Sequence, residues 1–324
     1  MSVRALLILG ILAGLAPHPA GGAELRNLSF LPHWLPQAQF AGYYMAQAKG
    51  FYAKQGIGLT ILRGGPERPA VEGLARGKAD FATTFLSAAV QQRDRGVLLV
   101  NIGQVVQRSG FILVTKKTSG IVSPADLNGR KVGLWPDFRL QPLAFFRKYG
   151  VEVRPVDQGA TMTLFLRNGV VAASAMWYNE YHALLNAGID PAELKTFFFD
   201  QHGLNFPEDG IYCLEETLRR NTDLCRGFVR ASFAGWEYAF AHPEETLDVV
   251  MQHVQRANVG TNRTHQRWML ARMKDLIFPP GTAAVPGLLK REDYHRVAAE
   301  LKRNGLIREI PPFGAIYADS TASR

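Results

Sequence analysis

The sequence predicts an α/β protein with two lobes and a helical return. From Leu25 onward, short apolar segments alternate with amphipathic ones, which is the pattern of parallel βαβ units with helices on both faces of a sheet. A second series of the same kind begins after GFILVTKK. From Glu215 the pattern turns mostly helical, most strongly in RGFVRASFAGWEYAFAHPEETLDVVMQHV and REDYHRVAAELKRNG. A chain of 324 residues is long enough for two compact domains.

The first series starts with a strand in LRNLSFLP. A helix is predicted over FAGYYMAQAKGFYAKQG, closed by Gly56, and a strand over LTILRG. PAVEGLARG reads as a helix that Gly77 stops, and ADFATTF as a buried strand that ends in hydroxyl groups. Together these segments predict the sheet and helices of one lobe.

The second series predicts another lobe of the same construction. A helix-start signal at Ser123 and Pro124 precedes the strand RKVGLW. LQPLAFFRKYG follows as a helix closed by Gly150, then EVRPVD as a strand. TMTLFLRNG is predicted as a helix ending at Asn168 and Gly169, and VVAASAMW as a buried strand.

The N-terminus has the features of a secretory signal peptide over residues 1–23. MSVR supplies positive charge, ALLILGILAGLA is apolar but too short to span a bilayer stably, and GGAE offers small residues for cleavage near Ala23. The alternative is an uncleaved N-terminal anchor. We therefore expect an exported protein, most simply in a periplasm. In that oxidising compartment Cys213 and Cys225 either form a disulfide or remain two inert buried thiols.

The formal net charge of +9 is spread along the chain without a run of four basic residues. A solvated basic surface is therefore preferred to nucleic-acid binding, and no nucleic-acid partner is expected.

Polar and aromatic side chains follow several predicted strands, where an α/β fold presents its ligands. The segments are HWLPQAQF, ATTF, GLWPDFRLQ, AMWYNEY and FPEDGIY. Their chemistry suits a flat, neutral or weakly basic heterocycle that stacks and is hydrogen-bonded at its edge. Arg108 and Arg139 lie nearby and leave an anionic substituent open. For Thr83 and Thr84, capping of the following helix is the alternative to ligand contact. The predicted ligand-binding residues are Trp34, Gln37, Gln39, Tyr43, Thr83, Thr84, Trp135, Asp137, Phe138, Trp177, Tyr178, Asn179, Glu180 and Asp209.

Motifs for catalysis are missing from the sequence. There is no G-x-S-x-G elbow, no P-loop and no H-E-x-x-H, and two cysteines without matching histidines do not make a zinc site. His33 and His182 are acid or base candidates, with a structural role as the alternative. We predict no catalytic residue, no metal and no cofactor.

Three ordered segments carry a family resemblance: W-L-P-Q-A-Q-F-A-G-Y-Y-M-A-Q-A-K-G-F-Y-A-K-Q-G, then G-K-A-D-F, then A-M-W-Y-N-E-Y. They resemble the periplasmic solute-binding proteins that carry pyrimidine precursors of thiamine, relatives of the nitrate, sulfonate and taurine binding proteins. The resemblance implies a type II periplasmic-binding-protein fold, in which two α/β lobes are joined by two crossing strands. The crossings are expected near residues 109–111 and 210–213. Lobe 1 would comprise residues 24–110 and 212–324, and lobe 2 residues 111–211.

The resemblance also assigns roles to residues. An aromatic clamp would be Trp34 with Trp177 or Tyr178, and the polar edge contacts would be Gln37, Gln39, Asn179 and Glu180. Gln37, Gln39 and Phe40 replace the usual asparagine and histidine, which leaves a different heterocycle open.

The same family includes an enzyme that builds the thiamine pyrimidine from its own histidine and a pyridoxal phosphate held by a lysine. Those positions fall at Thr84 and Ala88, which cannot do that work, and of its cysteine-rich iron-binding stretch only Cys213 remains. The resemblance therefore favours a binding protein over an enzyme.

The predicted function is the periplasmic solute-binding component of an ABC importer. It would be a monomer that closes its two lobes over a small aromatic heterocycle, such as a thiamine pyrimidine precursor, and delivers it to a membrane permease and ATPase. The alternatives are an enzyme of the thiamine-pyrimidine-synthesis type, a periplasmic sensor subunit, and a receptor of the sulfonate or nitrate type.

Overall fold

A computed structural model describes residues 24–281 and 285–321. The signal peptide predicted at 1–23, with its cleavage near Ala23, lies outside the described residues. Within the described ranges the chain forms two five-stranded sheets, each with helices packed around it, so the α/β class is confirmed. No helix in these ranges is both long and apolar enough to span a bilayer.

The first sheet has the strand order β2-β1-β3-β10-β4. β1 pairs in parallel with β2 and β3, whereas β10 runs antiparallel to both β3 and β4. The apolar segments LRNLSFLP, LTILRG and ADFATTF supply β1, β2 and β3 as predicted. The strands are β1 Arg26–Leu31, β2 Ile57–Ile61, β3 Phe81–Thr84, β4 Leu99–Gln104 and β10 Gly210–Leu214.

The second sheet has the strand order β7-β6-β8-β5-β9. β6 is parallel to β7 and β8, and β5 is antiparallel to β8 and β9. The three strands predicted in the second series are β6, β7 and β8. The strands are β5 Phe111–Lys116, β6 Lys131–Leu134, β7 Arg154–Asp157, β8 Ala172–Met176 and β9 Leu194–Phe198.

The chain passes between the sheets twice, through residues 105–110 after β4 and through residues 199–209 after β9. We call these the first and second crossing segments. The register places Gly210 opposite Thr84 and Phe111 opposite Met176, so the ends of β3 and β8 lie beside the crossings. Because β10 belongs to the first sheet, the second crossing segment lies just before residues 210–213. The lobe boundaries given above remain a prediction.

Twelve helices accompany the strands within the described ranges, and the four longest lie in the helical C-terminal part. They are α1 Ala41–Ala48, α2 Ala70–Ala75, α3 Leu86–Asp94, α4 Leu140–Lys148, α5 Thr163–Leu166, α6 Glu180–Asn186, α7 Glu215–Arg220, α8 Thr222–Ala241, α9 Pro243–Arg256, α10 Arg263–Ile277, α11 Arg291–Arg303 and α12 Phe313–Ile316.

Two helix predictions need correction. The helix predicted to run to Gly56 ends at Ala48, because Gly50 adopts a positive φ of 68°, and only a short 3-10 turn precedes Gly56. The start signal at Ser123 produces a 3-10 turn, Pro124–Leu127, with a capping box to Asp126. The sequence marked a break at Gly56 and a start at Ser123, but it did not give the length of the helical segment at either place.

Close packing of α1 on α8 fixes the position of the loop between β1 and α1. A Cβ at Gly235 would lie 2.1 Å from the carbonyl oxygen of Gly42, and a Cβ at Gly42 would lie 2.3 Å from the Trp236 ring. The two helices therefore approach as closely as glycine allows. This contact holds the N-terminal end of α1 at the edge of the first sheet that faces the second sheet.

Candidate functional site

Aromatic rings from both lobes meet between the facing edges of the two sheets. Phe85, directly after β3, lies 5.1 Å from Phe138 of the second lobe, measured between ring centroids. Trp135 lies 6.3 Å from Phe138 and 5.3 Å from Phe111 at the start of β5. We call these four residues the cross-lobe aromatic group. Since one member comes from the first lobe and three from the second, a ligand among them would touch both lobes.

A cavity of about 410 Å³ opens beside this group, between α3 and α4. Its wall includes Phe85 and Gln91 from the first lobe, Phe138 and Gln141 from the second, and Pro207 from the second crossing segment. Aromatic faces with a few amide groups suit a planar ligand with polar edges.

A hydrogen-bond network lies behind the aromatic group in the first lobe. The Nδ1 atom of His33 is 2.9 Å from Thr83 Oγ1, and its Nε2 is 3.5 Å from Asp209 Oδ1. Gln39 Nε2 donates to Asp209 Oδ2 at 2.7 Å, and Gln39 Oε1 accepts a hydrogen bond from Gln37 Nε2. Asp209 is buried with a positive φ of 32°, and its Oδ1 lacks a hydrogen-bond partner among the described residues. A non-glycine residue in this conformation, with a buried oxygen that has only the 3.5 Å contact with His33, marks a candidate ligand contact.

Burial favours the neutral forms of the titratable groups in this network. Burial raises the pKa of Asp209, against the opposing effects of His33 and of the hydrogen bond from Gln39. Burial also lowers the pKa of His33, and the Asp209 charge only partly offsets it.

Burial also shifts the pKa values of two further carboxyl groups, Glu208 and Glu180, near the crossing segments. Burial raises the pKa of Glu208 to about 8, although Ser109 Oγ and Gly110 N donate to its Oε1 at 2.6 and 3.0 Å. Burial raises the pKa of Glu180 to about 7, despite hydrogen bonds from Met176 N and from Asn179. Perturbed carboxyl groups of this kind are common at functional sites.

Trp177, Asn179 and Tyr181 of AMWYNEY face α10 rather than the cavity. Trp177 packs edge-on against Phe198 at 5.4 Å, with the Arg272 guanidinium 4.8 Å from its ring centroid. Asn179 Oδ1 lies 2.8 Å from His265 Nε2. The predicted clamp partner Trp177 is therefore placed away from the cross-lobe aromatic group, because α10 covers it.

The other predicted site residues divide between the network, the cavity and the surrounding core. Gln37, Gln39, Thr83 and Asp209 belong to the network, and Trp135, Asp137 and Phe138 lie at or beside the cavity. Trp34 is half-buried in the loop after β1, and Thr84 is buried at the end of β3. Tyr43 packs on Phe30 and Trp236, and Tyr178 is buried near Gly110. Their roles as ligand contacts stay predictions.

Sequence reasoning missed three aromatic or amide side chains of this site. Phe85 directly follows ATT, and Phe111 begins the strand that comes after the first crossing segment. Both therefore lie at a terminus of a strand, as the predicted site residues beside them do. Gln141, which lies in the first turn of α4, carries no comparable signal.

Neither a metal site nor a disulfide is seen in the described ranges. No group of three His, Cys, Asp or Glu side chains there is placed to hold a metal ion. Cys213 and Cys225 are free, buried thiols, and the pKa of Cys213 is raised by its hydrogen bond with Cys225 and by burial.

Comparison with solved structures shows the fold. The periplasmic aliphatic sulphonate binding protein SsuA from Escherichia coli matches with a TM-score of 0.69 at 16% identity, covering 88% of this chain and 94% of that one. The ligand-binding component of an ABC-type import system from Staphylococcus aureus matches with a TM-score of 0.65 at 12% identity, covering 91% and 97%. The chain thus has the two-lobed fold of ABC importer solute-binding proteins.

Sequence relatives include binding proteins and an enzyme. The riboflavin-binding protein RibY of Chloroflexus aurantiacus is 27% identical over 76% of this chain and 71% of its own. The formylaminopyrimidine-binding protein of Halalkalibacterium halodurans is 23% identical over 79% of each chain. The 4-amino-5-hydroxymethyl-2-methylpyrimidine phosphate synthase of Legionella pneumophila is 23% identical over 70% and 73%. The profile described as NMT1/THI5 like matches residues 37–246, and the chain belongs to that family.

Proposed function

We propose that this protein is the periplasmic solute-binding component of an ABC importer and that it captures a planar heterocycle between its two lobes. The observation that carries the proposal is the cross-lobe aromatic group beside a cavity of about 410 Å³. A ligand that stacks there contacts both lobes, so its binding energy favours the closed form. A ligand that touched one lobe alone would shift the equilibrium little.

A thiamine pyrimidine precursor is the first candidate ligand. Family membership and the resemblance to a formylaminopyrimidine-binding protein support it. A flavin is the second candidate, and two observations favour it. The relative RibY is named for riboflavin, and a single six-membered ring would fill only part of the cavity.

The electrostatics of the network argue against a sulfonate or nitrate ligand. The side chains around Asp209 are His33, Gln39, Thr83 and Gln37, and none of these is a lysine or arginine. Anions of this kind are usually bound by arginine or lysine and by main-chain donors. Arg139 at the cavity wall would accommodate an anionic substituent on a larger ring.

We also infer that the protein is not a synthase, although relatives carry that name. Thr84 and Ala88 stand where the family resemblance places the reacting histidine and the lysine that holds the cofactor. A threonine hydroxyl and a methyl group supply neither the ring atoms nor a Schiff-base nitrogen.

The test is a thermal-shift screen of the purified protein with riboflavin, formylaminopyrimidine and an aliphatic sulfonate, followed by calorimetry on each ligand that binds. A ligand at about a hundred times its dissociation constant adds roughly 2.7 kcal/mol of stability. We expect a heterocycle to raise the melting temperature and the sulfonate to leave it unchanged. A shift with the sulfonate alone would overturn the proposal.

The variant Phe138→Ala locates the site. It should weaken binding of the heterocycle by roughly 10-fold to 100-fold, since it removes a stacking ring from one lobe. Phe313→Ala is the matched control, because Phe313 is also a half-buried phenylalanine but packs on Tyr294 and Tyr317, outside the cavity wall. Equal affinities in the two variants would remove the aromatic group from the site.

An uptake assay distinguishes a transport role of this protein from a sensor role. Cells that hold the neighbouring permease and ATPase genes should import the labelled heterocycle only when this protein is present. A sensor subunit would leave uptake unchanged.

A further inference from the structure

On one flank of the molecule, outside the cavity wall, the two lobes meet in a direct contact. On that side α10, from the helical C-terminal part, lies against the end of β8 and the start of α6. The first lobe contributes His265, Trp268 and Arg272, and the second contributes Trp177 and Asn179. We call these five residues the α10 contact.

Arg272 lies between two tryptophan rings that come from different lobes. Its guanidinium carbon is 4.8 Å from the ring centroid of Trp177 and 4.8 Å from that of Trp268. Asp275, one turn further along α10, accepts a hydrogen bond from Arg272 Nε at 3.0 Å. The ion pair fixes the plane of the guanidinium, and the planar cation then interacts with both rings.

Two hydrogen bonds join the same elements. Trp268 Nε1 donates to the backbone oxygen of Trp177 at 3.0 Å. His265 Nε2 is 2.8 Å from Asn179 Oδ1, and because the amide Nδ2 already donates to Glu180, the amide oxygen accepts and His265 donates. The backbone oxygen of Trp177 and the amide oxygen of Asn179, both from the second lobe, are therefore satisfied by α10 without a ligand between them.

We propose that the α10 contact is a latch that keeps the two lobes together on this flank whether or not the binding site is filled. Opening the latch would expose two tryptophan rings and leave the Asn179 and Trp177 oxygens without their partners. The lobes would then separate mainly on the side of the cavity between α3 and α4, where they are joined by the ion pair of the exposed Arg147 of α4 with Glu300 of α11. The latch itself depends only on the contact, whereas its use as a guide for ligand entry rests on the proposed function.

Small-angle X-ray scattering of the ligand-free protein tests the latch. Arg272→Ala removes the cation between the rings, and Arg272→Lys keeps the charge but loses the planar guanidinium. Arg267→Ala is the matched control, because Arg267 is an exposed residue of the same helix whose ion pair is with Glu244 of α9. We expect the wild type and Arg267→Ala to share one radius of gyration and both Arg272 variants to have a larger one.

Hydrogen exchange over residues 175–181 provides the second readout. In the Arg272 variants these amides should exchange faster than in the wild type, whereas in Arg267→Ala they should not. An unchanged radius of gyration and unchanged exchange in a folded Arg272→Lys protein would overturn the latch. Because both measurements are made without ligand, a thermal-shift screen without any binder would count against the proposed function and leave this result standing.

Discussion

Replacing Glu208 with glutamine should change how stability depends on pH. Glu208 lies in the second crossing segment and is buried, and its Oε2 has no hydrogen-bond partner among the described residues. Its Oε1 accepts from Ser109 and Gly110 of the first crossing segment. A protonated glutamic acid and a glutamine have nearly the same shape, and the amide oxygen of glutamine can accept the same two hydrogen bonds.

The size of the effect follows from the shift in the pKa of Glu208. Burial raises this pKa from 4.5 to about 8. This interval corresponds to roughly 5 kcal/mol in the free energy of unfolding. Below the pKa that Glu208 has in the unfolded protein, the folded and unfolded proteins both hold the proton, and the full contribution to stability is present. As the pH rises toward the folded value only the unfolded state releases its proton, so stability falls, and above about 8 the loss is complete.

Urea unfolding between about pH 5 and about pH 9 measures this difference. Glu208→Gln should be close to the wild type at the acidic end and more stable by several kcal/mol at the alkaline end. Glu152→Gln, at an exposed position, is the control and should follow the wild type throughout. If the free energy of unfolding depends on pH in the same way for Glu208→Gln and the wild type, the conclusion that Glu208 is neutral in the folded protein is refuted. A large loss of stability at the acidic end would instead show that both carboxyl oxygens are needed.

Two further predictions concern packing and the cysteines. Gly235→Ala should destabilise the fold by about 1 to 3 kcal/mol, because the new Cβ would meet the Gly42 oxygen at 2.1 Å. Gly260→Ala should leave the stability unchanged, because no atom lies within 4 Å of the new Cβ. Urea unfolding compares the free energies of unfolding of the two variants. Cys213 and Cys225 should resist thiol reagents in the folded protein and give two reactive thiols after denaturation without reductant. A count of zero after denaturation would establish a disulfide.

Periodicity in the sequence was sufficient to predict β1, β2 and β3 of the first sheet and β6, β7 and β8 of the second. The runs that become β1, β3 and β8 are short, contain buried apolar residues and are followed by polar or aromatic residues, which marks the strand and the end at which a ligand site is expected. The same reasoning selected Phe138, which lies at the cavity, and Asp209, which lies in the network, and their roles as ligand contacts stay predictions. These predictions depend only on local pattern and on the rule that parallel strands end at one edge.

The position of AMWYNEY shows where local pattern stops being informative. The segment has the composition of a ligand site, yet Trp177 and Asn179 pack on Arg272 and His265. These partners lie more than eighty residues further along the chain. Aromatic and amide groups satisfy a neighbouring helix as well as they satisfy a heterocycle, so composition alone cannot distinguish the two.

The second crossing segment joins the binding site to the motion of the lobes. Glu208 hydrogen-bonds the first crossing segment, and Asp209, the next residue, hydrogen-bonds Gln39 in the network. Asn205 similarly donates to the Gln107 oxygen at 3.0 Å. Side-chain bonds of this kind adjust to small rotations more readily than a strand ladder does, so the crossing segments can bend while remaining connected. A ligand that engages Asp209, whose Oδ1 has only the 3.5 Å contact with His33, would therefore act directly on the second crossing segment.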